Sequence, residues 1–323
     1  MSPLLWCFVG ALSVFILKFI HWQFWGEGFI RGYIREDQEP EGGYRIVKKY
    51  KTPTQRIALV ETEGELWIYC NGDVMLSTSE SEDRYAEAMM HIPMAAAEHR
   101  KKVLIIGGGG GVTTREALRY PDVESIVTVD VDEEIIQFGK HLNELVSFNN
   151  GALNHPKVLT FIDDGRRFIE KHPTKWDVII IDVPEPSSQC PELSRLYSLE
   201  FFSLLMESLE EDGAMAVACS TPLWMPDYYW SIQATLRKAG FFTLPYHNYV
   251  LEDNEDWGFL LATKSPVAAA DVRMRVSPRF MTPEKLEDMF HMPYYFAANR
   301  SKERIQTDNN TVLSDIVDKI ERD

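Results

Sequence analysis

The chain has 323 residues, 45% hydrophobic, 12% aromatic and 25% charged, with 19 glycines and 17 prolines. These are the figures of a globular protein of one large or two modest domains, and they exclude disordered, collagen-like and Pro/Gly low-complexity chains. Lys and Arg number 33 against 49 Asp and Glu; the net charge of −16 excludes nucleic acid as a natural partner and allows a cationic small molecule, although acidity for solubility alone is common.

Residues 4–17 are apolar except for Ser13, and past Lys18 the chain runs into the aromatic residues Trp22, Phe24 and Trp25. That is short of the about 20 residues that cross a bilayer. No basic residue precedes the run and no small-residue cleavage site follows it, which disfavours a secretory signal peptide. Two readings remain. One is a single membrane anchor through residues 3–25, with Lys18, Arg31 and Arg35 placing the remainder on the cytoplasmic side of the inner membrane. The other is an amphipathic helix of a cytoplasmic protein, packed on its own domain or on a partner.

Residues 36–43 are polar, with Pro40 and paired Gly, and read as a linker. Strand-like runs follow at 44–50, 55–61, 65–70 and 74–77, punctuated by Glu63-Gly64 and Asn71-Gly72, so a small antiparallel β unit is expected. Residues 82–99 read as a helix kinked or interrupted at Pro93, with Ser79 or Ser81 as cap. Beyond it strands at 102–106, 125–129, 158–162, 177–181, 214–218 and 258–263 alternate with helices at 113–120, 133–145 and 226–239. That alternation implies a mostly parallel, doubly wound α/β sheet. The expected organisation is helix and linker over 1–36, β unit over 37–80, and α/β domain with a C-terminal tail over 81–323.

Doubly wound sheets bind ligands at the carboxyl ends of their strands. The first such end carries Gly107, Gly108, Gly109, Gly110 and Gly111, a turn without side chains whose N–H groups are expected to approach a ligand at a helix start. Asp130 ends the second strand, 20 residues after Gly110, where a carboxylate accepts from ribose hydroxyls. Asp164 ends the third and is placed to accept from an adenine amine, with Gly165 leaving room for the ring. Together these describe an adenosine site. The fourth end reads Asp182-Val183-Pro184-Glu185-Pro186, two carboxylates three residues apart. They read either as a pair facing the cleft, where desolvated carboxylates bind cations and take protons, or as a solvated acidic loop. Cys7, Cys70, Cys190 and Cys219 lie far apart and the eight histidines are scattered, so no metal centre is expected.

Several segments in this order carry a resemblance: VLIIGGGGGVTTRE at 103–116, the stretch 142–164 with its IDDG end, DVIIIDVPEPSSQCPELSRLYSLEFF at 177–202, and Asp256-Trp257-Gly258-Phe259. With Gln55-Arg56-Ile57, residues 65–87 and Thr307-Asp308-Asn309, they resemble the polyamine aminopropyltransferases, the spermidine synthase family, over roughly 44–318. The likeness is to the bacterial branch whose catalytic domain follows membrane helices. It implies a Rossmann-like, class I methyltransferase-like fold and a homodimer formed through the β unit. The reaction implied is transfer of an aminopropyl group from decarboxylated S-adenosylmethionine, a co-substrate and not a tightly bound cofactor, to putrescine or a related amine. In that light Gln55 and Asp130 hold the ribose side, Asp164 the adenine, and Asp182 with Glu185 and Tyr85 the attacking amine; no metal is needed.

Three positions depart from the family pattern. Glu185 stands where the family has Asp, Tyr85-Ala86 where it has Tyr-His, and Gly110 where it has an Asp that resembles a clamp on the donor's terminal ammonium. Losing that clamp leaves intact S-adenosylmethionine as a second donor, for methyl or aminocarboxypropyl transfer. A non-catalytic adenosyl- or polyamine-binding role is the third reading.

Overall fold

The computed structural model describes residues 13–18, 32–188, 190–250, 255–297, 300 and 303–320. The chain divides into two compact units, Met1–Ser77 and Thr78–Asp323. Of the apolar N-terminal run, residues 13–18 are helical and exposed, and the rest of the expected anchor lies outside the described residues. Among those described, no helix is long and apolar enough to cross a membrane.

The first unit holds a four-stranded antiparallel sheet, β1 (Tyr44–Lys51), β2 (Arg56–Thr62), β3 (Glu65–Cys70) and β4 (Asp73–Ser77), in sequence order. Two turns set its register. Glu63-Gly64 and Asn71-Gly72 join the pairs Thr62↔Glu65 and Cys70↔Asp73, and all four turn residues have positive φ, between 51° and 113°. Two such residues in a row match the right-handed twist of a hairpin, as the Asn-Gly signal predicts. Ala58, Val60 and Tyr69 are buried in this unit with Ile34.

The second unit is built on a seven-stranded sheet. Its strands are β5 (Lys102–Gly107), β6 (Ser125–Asp130), β7 (Val158–Ile162), β8 (Trp176–Asp182), β9 (Leu209–Ala218), β10 (Phe242–Val250) and β11 (Glu255–Thr263), in the order β10-β11-β9-β8-β5-β6-β7. The five strands β5 to β9 are parallel, and β11 and β10 close one side antiparallel. This is the expected α/β sheet. Strand residues alternate between two cores: Leu104, Ile106, Ile179 and Ile181 face one, and Val103, Ile105, Val178 and Ile180 the other, each at most 1% exposed. Such two-sided burial explains why these strands are continuous apolar runs, each side chain contributing about 1.5–3 kcal/mol.

The helices cover both faces. In this unit the α-helices of six residues or more are α1 (Glu80–Ala96), α2 (Val112–Ala117), α3 (Glu133–His141), α4 (Asn143–Phe148), α5 (Gly165–Lys171), α6 (Leu199–Ser208), α7 (Pro226–Lys238), α8 (Pro283–Met289) and α9 (Val312–Ile320). Helix α1 begins after Ser79 and runs through Pro93 without interruption, because that proline sits in the last turn and removes a single donor. The helix expected over 133–145 is two, parted at an extended Leu142. Strand β10 escapes the apolar pattern because it carries Pro245, tolerated on an edge strand. Helices α5, α6, α8 and α9 were likewise not expected.

Candidate active site

Register brings the strand ends level. Gly107 of β5 pairs with Asp182 of β8, and Asp130 of β6 with Ile162 of β7. The chain winds outward from β5 through β6 and β7, then returns to β8 on the opposite side of β5. The crevice of a doubly wound sheet opens at that reversal, and here it falls between the glycine turn and Asp182.

Gly107 and Gly109 must be glycine for contact reasons. A Cβ on Gly107, at φ +85°, would lie 1.8 Å from the Asp182 carbonyl oxygen, and one on Gly109 would lie 2.5 Å from Asp130 Oδ2. A Cβ on Gly108 would meet Asp182 Oδ2 at 3.1 Å. Not every N–H faces outward as expected. Gly109 N–H donates to Asp130 Oδ2 (3.1 Å), Gly111 N–H closes the turn onto the Gly108 carbonyl (2.9 Å), and the Gly110 carbonyl accepts from Asn149 Nδ2 (2.8 Å).

Asp130 is half-buried and accepts one N–H on each oxygen, from Gly109 and, at 2.9 Å, from Asp132. Burial pushes its carboxyl up to about 6, against those two hydrogen bonds. Each oxygen keeps a lone pair for a ligand hydroxyl. Asp164 is exposed at the end of β7, and its Oδ1 caps α5 through Arg167 N–H at 2.8 Å. The expectation for Gly165 is corrected: the space beside it is filled by Ile106, whose Cγ2 would lie 2.3 Å from an added Cβ, so this glycine lets α5 pack on β5.

Asp182 is the centre of the site. Tyr85 of α1 donates its hydroxyl to Oδ1 at 2.9 Å, and Thr113 of α2 donates to Oδ2 at 2.8 Å. Burial pushes the Asp182 carboxyl up, and the two hydroxyls pull it back. Tyr85 stands edge-on to Trp257, with ring centroids 5.5 Å apart, and touches Phe259. Glu185 is also half-buried and raised by burial, with a hydrogen bond from Ser220 opposing the rise. Among the described residues, no cationic side chain acts on either carboxyl. That pattern fits a cleft better than a solvated loop. Tyr197 anchors the proline loop by donating to the Val183 carbonyl at 2.8 Å.

Thr113 and Ser220 were not anticipated. Thr113 lies two residues past Gly111, and Ser220 lies two residues past β9, a central strand end not read in the sequence. Ser220 is 6% exposed and holds φ +55°, a strained value for a residue with a side chain. Glu252 and Asp253 lie outside the described residues, and Asp256, in β11, pairs with His247 at 2.6 Å. Gln55 belongs to the small unit, in the turn between β1 and β2, where its backbone N–H donates to Thr52 Oγ1 at 3.0 Å.

Glu87, His91 and Glu116 bring three metal-ligating groups within 4.8 Å of one another. Their atoms are engaged within the chain. Glu87 accepts N–H groups from Arg279, Phe280 and Met281 at 2.6 to 3.0 Å, and His91 spans Tyr120 and Glu116 at 2.9 Å each. Arg115 and Arg119 bond the remaining oxygen positions of Glu116. The cluster is a closed structural network.

Residues 82–271 match the spermine/spermidine synthase domain. A polyamine aminopropyltransferase 2 of Bacillus cereus is 34% identical over 274 residues, covering 84% of this chain and 74% of the relative. A polyamine aminopropyltransferase 2 of Ralstonia nicotianae is 31% identical over 252 residues, 77% of this chain and 48% of the relative, so the chain spans about half of that protein's length. Among solved structures, a spermidine synthase in complex with the transition state analogue AdoDATO superposes with a TM-score of 0.72 at 23% identity, covering 83% of this chain and 98% of the other.

Proposed function

We propose that this chain, which belongs to the spermine/spermidine synthase family, is a polyamine aminopropyltransferase that uses decarboxylated S-adenosylmethionine as co-substrate. The observation that carries the reading is Asp182, a half-buried carboxylate with each oxygen bound to a hydroxyl, level with the glycine turn. The sulfonium makes the adjacent methylene carbon of the donor electrophilic. A neutral amine, putrescine or a related amine, attacks that carbon in line; the new C–N bond forms as the C–S bond breaks, and methylthioadenosine leaves. The ammonium so formed gives its proton to Asp182, whose raised carboxyl suits a base. Glu185 holds the amine beside it, Tyr85 orients Asp182, and Asp130 and Asp164 take the ribose and adenine. Orientation supplies most of the acceleration, since the leaving group is already activated.

Gly110 keeps intact S-adenosylmethionine as the competing donor. Purified protein is therefore incubated with each donor in turn and a panel of amines, and the products are read by mass spectrometry. Methylthioadenosine formed only with the decarboxylated donor is expected. Methylated or aminocarboxypropylated products, or binding without turnover, would overturn the proposal. Attachment to the cytoplasmic face of a membrane through residues 3–25 and pairing into a homodimer complete the reading, as the resemblance implies; detergent dependence of extraction and mass by light scattering test them.

A further inference from the structure

We propose that Thr113 is a positioning residue: its hydroxyl, acting with that of Tyr85, locks the rotation of the Asp182 carboxylate and so aims the base at the amine. The inference rests on the reading of Asp182 as proton acceptor. A carboxylate at the end of a strand turns freely about its last bond unless both oxygens are held. Here they are held from two helices, at 2.9 Å by α1 and at 2.8 Å by α2. Thr113 is 2% exposed, so water does not compete for its hydroxyl. A threonine in the first turn of a helix ordinarily bonds a nearby backbone group; this one reaches an acid 69 residues further on.

The backbone that carries Thr113 is itself fixed. Arg115 N–H donates to the Gly111 carbonyl at 2.9 Å, which starts α2 at the glycine turn, and the next residue, Thr114, bonds Thr128 of β6 at 3.1 Å. Being β-branched, Thr113 has few rotamers and keeps its Oγ1 aimed. The donor-side turn and the acceptor-side base thus share one rigid connection two residues long, Gly111 to Thr113. Three further titratable groups face Asp182: Tyr85 from α1, Tyr197 from the helical turn Pro191–Tyr197, and Asp130 from the end of β6. None of them is a cation, so the hydroxyls are what favour the ionised form.

The test compares T113V, which keeps the shape and removes the hydroxyl, with T113S, which restores it. In T113V we expect kcat for methylthioadenosine formation to fall about ten- to hundredfold, KM for the donor to stay within about threefold, and the acid limb of the kcat profile to move up by about one pH unit. T113S should recover kcat to within about threefold. Wild-type kcat and acid limb in T113V, or a T113S as poor as T113V, would overturn the proposal. Absence of product from the wild-type protein with every amine would instead remove the functional reading. Thr113 is then judged without turnover, by the titration of the Asp182 carboxyl followed by carbon-13 NMR in the ligand-free chain. An upward shift in T113V supports the contact and an unchanged midpoint overturns it. If T113V does not fold, T113A supplies the same two readouts.

Discussion

Two groups of acids are withdrawn from water in the larger unit, and they are treated in opposite ways. Behind the sheet edge, Glu87 and Glu116 are 2% and 1% exposed, and their oxygens are taken by three backbone N–H groups, a histidine and two arginines. Neighbouring Asp83 pairs with Arg115 at 2.6 Å. At the carboxyl edge, Asp130, Asp182 and Glu185 are raised by burial and, among the described residues, accept from hydroxyl and amide donors and from no cation. A buried charge that is fully paired holds elements together, whereas one that is partly desolvated and given no counter-ion favours a cationic ligand. The first group is architecture and the second is the proposed site, although their residue types are the same.

Substitutions in the two groups should therefore separate activity from stability. Asp182→Asn should reduce turnover by about a thousandfold or more while leaving the affinity for an adenosyl ligand within about threefold, measured by product formation and by calorimetry. Equal loss of both would merge the two groups again. Glu87→Ala should do the reverse. Three N–H groups on 279–281 lose their acceptor, costing about 3 kcal/mol in denaturant unfolding, with kcat of the folded fraction unchanged.

The smallest effect concerns Asp130, whose carboxyl sits at about 6. Its ionised form accepts ribose hydroxyls better than its protonated form. Methylthioadenosine should consequently bind several-fold more tightly as pH rises from about 5 to about 7, with a midpoint near the raised value. Asp130→Asn should flatten that dependence; a curve of the same shape in the variant would mean that another group controls it.

Much of the fold was legible because its signals are local. An Asn-Gly pair between alternating runs dictates a two-residue hairpin wherever it occurs, and strands buried on both faces read as unbroken Val, Leu and Ile. Asp130 and Asp182 were found by the same logic, each being the first acid after such a run, and Asp164 is the second acid after its own. Pro245 hid β10, since its tolerance depends on lying at a sheet edge, which no window of sequence contains. Gly165 was misread for a related reason. What lies above a glycine is set by the strand it packs on, here Ile106 of β5, 59 residues earlier.

The sequence by itself determined the class of sheet, the glycine turn, the acids at the strand ends and, through their order along the chain, the family. It left open whether Asp182 and Glu185 are a desolvated pair or a solvated loop, because that difference is made by partners. Tyr85 and Thr113 reach Asp182 across 97 and 69 residues, and Arg279 reaches Asp83 across 196. Which donor meets which carboxylate follows from strand order and helix placement, and a hydrogen bond or ion pair exists only once those bring two groups within about 3 Å of each other. The net charge of −16 is a property of the chain; which of its carboxylates meet arginines and which meet hydroxyl donors was decided only by the tertiary structure.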